Sequence, residues 1–81
     1  MRTEPYVVHA TWDAEASVWV ADSDDVPGLV TGADTLEHLI EKLRVLVPEM
    51  LEANGVLPPD AAAAAGFKVV AERTEEPRAV A

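Results

Sequence analysis

Apolar and polar positions follow two different periods along this chain. Residues 6–12 place Tyr6, Val8, Ala10 and Trp12 on one side, and residues 17–21 repeat the same β-branched and aromatic chemistry in Val18, Trp19 and Val20. Between them Asp13, Ala14, Glu15 and Ala16 suit a turn, so the first segment predicts a β-hairpin. A third, shorter strand is predicted at residues 29–31. It follows Val26-Pro27-Gly28, where the proline cannot donate to a ladder and the glycine permits a tight bend. The period then changes. Leu36, Leu39, Ile40, Leu43, Leu46, Val47, Met50 and Leu51 recur at three-and-four spacing, and at about 100° per residue they fill an arc of roughly 140°. Asp34 is the expected N-cap, with Glu37 reaching back from three residues on as in a capping box. Gly55 and the Pro58-Pro59 pair end the helix. Pro48 lies inside it, opposite the apolar arc, which predicts one bent helix instead of two. The alanines at 61–65 are bounded by Pro59 and Gly66 and suit at most about one turn. Residues 67–73 alternate as a last strand, and residues 74–81 have little to bury and are expected to be disordered.

The predicted order is β-β-β-α-β, an α+β fold: an antiparallel meander plus one parallel strand, with one helix on one face. A meander makes strand three parallel to strand one, and a helical crossover returns strand four beside strand one, so the expected sheet order is 3-2-1-4. One helix covers one face, yet both faces of the hairpin carry apolar side chains. The pattern leaves open which tryptophan lies under the helix. Either way an apolar patch remains on the other face, and self-association as a homodimer or higher homo-oligomer is expected, through the sheet or an edge strand.

Composition narrows the class. The chain has 81 residues, 49% hydrophobic and 26% charged, enough for one small domain, taken as residues 1–73 with a tail at 74–81. The 15 Asp+Glu outweigh 6 Lys+Arg, for a net charge of -9. Arg2, Lys42, Arg44, Lys68, Arg73 and Arg78 are spread along the sequence, so no basic face forms to hold a phosphate backbone, and direct DNA binding by this chain alone is not expected. There is no cysteine, hence neither a disulfide framework nor a thiolate metal site. No signal peptide is visible and no apolar run approaches the ~20 residues that span a bilayer. A cytoplasmic protein without membrane contact is expected.

Few side chains suggest chemistry. Asp22, Asp24 and Asp25 lie close enough for a hard cation, but their spacing matches no calcium loop, and they read as a solvated, capped turn. His9 and His38 fall on a strand and on the polar helix face, in no metal-ligand spacing. Ser17 and Ser23 adjoin no glycine elbow, and Gly28 and Gly32 serve turns. No catalytic residue, metal or cofactor is assigned. A small metal-dependent hydrolase or nuclease using the acidic turn is the alternative to a binding module, and an orphan dimeric interaction domain is a further one. Val45 stands out on the polar side of the helix between Glu41 and Glu49.

The string Asp25-Val26-Pro27-Gly28-Leu29-Val30-Thr31-Gly32-Ala33-Asp34-Thr35-Leu36-Glu37, after a hairpin ending Val18-Trp19-Val20, resembles the HicB-like antitoxin family. It is most similar to a short branch described as a domain of unknown function, in which Trp12, Asp13, Glu15 and Ala16 match a Trp-Asp-x-Glu-Ala turn. The similarity covers about residues 6–55 and, weakly, the last strand, with Trp12, Asp13, Pro27, Gly28, Asp34 and Glu37 as fold-marking positions. It implies a partial RNase H-like fold and a partner toxin of the HicA type, a small basic RNA-cleaving protein. Many HicB proteins continue into a DNA-binding domain, for which no room is left after Phe67. Under that resemblance the chain is an antitoxin-like binding module and not an enzyme. The expected partner-binding residues are Trp19, Asp22, Asp24, Asp25, Glu41, Val45 and Glu49. The acids would steer the encounter, and the tryptophan would supply the apolar contact.

Overall fold

A computed structural model describes residues 4–79. The elements are β1 (Tyr6–Asp13), β2 (Val18–Asp22), β3 (Val30–Ala33), α1 (Leu36–Ala53), α2 (Pro59–Ala63) and β4 (Phe67–Glu72). They form a four-stranded sheet in the order β3-β2-β1-β4, with β1 and β4 parallel and the other pairs antiparallel. This is the α+β arrangement and the strand order that the connection rules predict.

The hairpin turn sets the register. The Asp13 carboxylate accepts from the backbone N–H groups of Glu15 and Ala16 at 3.1 and 3.2 Å, and Ser17 closes the turn with a left-handed φ of 55°. Asp13 then faces Val18 and Trp12 faces Trp19. Because facing residues share a face of the sheet, both tryptophans point the same way as Tyr6, Val8 and Ala10. Their rings meet edge to face, with centroids 5.5 Å apart. That is the side α1 covers: Leu39, Leu43, Val47 and Leu51 are fully buried with Val8, Ala10 and Ala21 in one core.

Several element boundaries differ from expectation. β3 begins at Val30 and runs to Ala33, because Leu29 turns inward and is 2% exposed, part of the core rather than of the strand. The helix is capped by Thr35, not Asp34. Thr35 is extended, and its Oγ1 accepts from the His38 N–H at 3.0 Å, while Asp34, one residue too early, bonds the His38 Nδ1 at 3.0 Å. The short alanine helix starts at Pro59, whose missing N–H costs nothing at the first helical position, and it seats Ala62 in the core. α1 runs unbroken through Pro48. Residues 73–79 contain no helix or strand and are exposed; the last two residues of the expected disordered tail lie outside the described residues.

Candidate partner-binding surface

The acidic turn after β2 has a structural role. β2 stops at Asp22, opposite His9, so Val7 reaches past the end of its neighbour with backbone groups that need partners. The loop supplies them: the Asp25 carboxylate accepts from the Val7 N–H at 2.8 Å, and the Ser23 hydroxyl donates to the Val7 carbonyl. Ser23 Oγ in turn accepts from the N–H groups of Asp25 and Val26, both at 3.1 Å. Ser23 and Asp25 therefore extend the hairpin by one pairing without a strand. Of the three expected steering acids, Asp25 is half-buried and held by this clamp, which removes it as a free charge. Asp22 and Asp24 remain exposed. Among the described residues no three His, Asp or Glu side chains gather in a way that would hold a metal ion.

The same loop is fastened to the end of α1. Asn54 donates from its side chain to the Pro27 carbonyl at 3.0 Å. Gly28 has φ of 77°, and a Cβ there would stand 3.0 Å from the Met50 methyl. Both the backbone conformation and the close approach call for glycine at this position.

Trp19, the expected apolar anchor, is not available on the surface. It is 9% exposed, packed in the core beneath the helix. The patch on the uncovered side of the sheet is aliphatic instead: by register Val7, Val18, Val20, Val30 and Val70 share it with His9, Thr11 and Asp22. Trp12 is half-buried, and the Arg73 guanidinium lies over its ring at 4.1 Å, a cation–π contact joining the end of β4 to the hairpin.

The outer face of α1 keeps three of the expected residues together. Glu41, Val45 and Glu49 follow at four-residue intervals, so they form one line along the helix. Val45 is 66% exposed, and Arg44 pairs with Glu41. Beside that line Thr31, Lys42, Val45 and Leu46 border a shallow groove of about 410 Å³ between the helix and β3. Lys42 was not among the expected site residues. Its ammonium crosses to the sheet and donates to the Gly32 carbonyl at 2.6 Å, so its aliphatic stem lies along the groove. At the helix start, His38 hydrogen-bonds Asp34 and holds that carboxyl below its ordinary range, with nearby backbone N–H groups adding to the effect.

The sequence that builds this surface matches a known family. A family model, the domain of unknown function DUF1902, matches residues 5–81. The chain belongs to that family. Among solved structures it is similar to the hypothetical protein TTHA1013 from the extremely thermophilic bacterium Thermus thermophilus, at 49% sequence identity and a TM-score of 0.67, over 93% of this chain and 99% of the other. A search of curated proteins gave no match. The DUF1902 match runs through β4, so the last strand, where the resemblance is weak, belongs to the family pattern. No helix among the described residues is long and apolar enough to cross a membrane.

Proposed function

We propose that this DUF1902 chain is a non-enzymatic binding module of the HicB-like antitoxin kind, which neutralises a small basic RNA-cleaving toxin of the HicA type by covering its RNA-binding surface. The observation that carries the reading is the outer face of α1, where an exposed valine sits between two glutamates and beside an apolar groove, on a chain of net charge -9. Acids around an apolar centre suit a partner that presents lysines or arginines around an aliphatic side chain. The charges speed and orient the encounter, and the desolvated contact sets the residence time. The β-β-β-α-β order that the resemblance implies supports the same reading.

The anchor in this reading is Val45 with Leu46, in place of Trp19. Glu41, Glu49, Asp22 and Asp24 supply the steering field. The test is a pulldown with the product of the adjacent gene, followed by association and dissociation rates across a salt series. With a Debye length of about 8 Å at physiological ionic strength, added salt slows association and leaves dissociation nearly unchanged. Reversing Glu41 and Glu49 to lysine lowers the on-rate, whereas Val45→Ala raises the off-rate. If no basic protein is retained, the antitoxin reading fails.

A further inference from the structure

The sheet ends on two unlike edges. β3 is four residues long, is flanked by α1, and has the Lys42 ammonium on its Gly32 carbonyl, so an outward acceptor of that edge is already taken. β4 has six residues, and no side chain among the described residues bonds its backbone. The Tyr6 N–H donates to the Gly66 carbonyl at 3.0 Å, and Tyr6, Val8 and Ala10 face Phe67, Val69 and Ala71 in parallel register. In a parallel ladder the residues flanking each partner supply the bonds, so Lys68, Val70 and Glu72 turn their backbone groups toward β1. Phe67, Val69 and Ala71 turn theirs outward, and no hydrogen bond from another described residue meets them.

The side chains along this edge have a self-complementary order. Lys68, Val70 and Glu72 share the face that α1 leaves open, and neither Lys68 nor Glu72 has an ion-pair partner among the described residues. We propose that β4 adds to β4 of a second copy of this chain, antiparallel about a two-fold axis through Val70, joining the two sheets into one. In that register Val70 meets its own counterpart, and Lys68 stands opposite Glu72 of the second copy on both sides of the axis. These are the closely spaced, non-hydrogen-bonded positions, where side chains interact most strongly. On the helix side Val69 of one copy covers the exposed Ala71 of the other. Centring the axis on Val69 instead would put Lys68 opposite Val70 and leave the charges unmatched, which decides the register. A strongly basic strand would set like charge against Lys68, so this edge suits a second copy better than the basic partner of α1. The inference does not rest on the toxin reading, and its failure would leave that reading standing.

The chain has no cysteine, so Val70→Cys introduces a single thiol. At a self-facing non-hydrogen-bonded pair the Cα separation of about 4.5 Å lies inside the disulfide range. Under copper-phenanthroline oxidation the Val70→Cys chain is expected to cross-link into a covalent dimer, whereas Val20→Cys, on the same face two strands inward, stays monomeric on a denaturing gel. By analytical ultracentrifugation the unmodified chain sediments as a dimer. Lys68→Glu raises the dissociation constant about tenfold or more, and adding Glu72→Lys restores it, because the swapped charges face each other again. Ala71→Pro removes an outward N–H that β1 does not use, and should give a folded monomer. A monomer at ~100 µM overturns the proposal. So does a dimer that neither cross-links through Val70→Cys nor responds to the charge swap, since its interface must then lie elsewhere. If Ala71→Pro fails to fold, the cysteine and charge-swap arms still decide.

Discussion

Thr35 and Asp34 are adjacent residues of similar capping ability, and one position separates a structural role from an ornamental one. With Leu36 as the first helical residue, only the Thr35 hydroxyl reaches the orphan N–H of His38. Thr35→Ala is expected to destabilise the fold by about 0.5 to 2 kcal/mol in urea titration, while Asp34→Ala leaves the melting temperature near that of the parent chain. Equal losses would contradict the assigned helix start. Asp34 contributes in another way. Its carboxyl is held below the ordinary value by His38, so its small contribution is present at neutral pH and fades as the carboxyl protonates in the acid range. His38→Ala should return the Asp34 titration, followed by NMR, toward the ordinary carboxylate range. The sequence alone could not place this boundary, because Asp34 with Glu37 forms a valid capping-box pattern one residue out of step.

At the scale of elements, the strands and helix were legible because each has a single dominant period, and the four apolar positions that α1 buries all belong to the predicted stripe. The side on which the tryptophans lie was not legible. It depends on a turn in which Ser17 adopts a left-handed φ, and a change of one residue there would move Trp19 to the other face. Nor did the chain advertise Lys42, whose role depends on where α1 sits relative to β3. The turn at Asp22, Asp24 and Asp25 was expected to be capped, but its use in completing the β1 edge depends on β2 ending early. A Ser23→Ala substitution removes the partner of the Val7 carbonyl and two turn bonds at once. It is expected to cost about 1 to 3 kcal/mol, as measured by chemical denaturation, and to raise hydrogen exchange at Val26. Asp24→Ala, on the same turn but exposed, should stay within about 0.5 kcal/mol. If the two variants lose equal stability, the clamp is not the turn's main contribution.

Across the whole molecule, charge and packing are separated. The described core contains no buried charged or polar residue, and the excess of acids lies outside it, on the loops, the outer helix face and the tail. A chain of net charge -9 repels itself when compact, and added salt screens that repulsion. The melting temperature is therefore expected to rise between low and moderate sodium chloride, and that rise should become smaller when Glu41 and Glu49 are both replaced by glutamine, which lowers the repulsion without abolishing it. A melting temperature that falls over this range would show that specific ion pairs outweigh the net field.

The parallel pair at one edge of the sheet also governs how the protein comes into being. β1 joins β4 across about sixty residues of sequence, so the second side of β1 cannot be satisfied until all of those residues have been synthesised. At about 5 to 20 residues per second, translation leaves that strand's flank bare for several seconds. During this interval the hairpin and the Ser23–Asp25 clamp are the available local structure, and the nascent chain presents the backbone edge that β4 will later occupy. The last strand is thus what ends a period of exposure on the ribosome, and a chain stopped before Phe67 would carry that exposed edge into the cell.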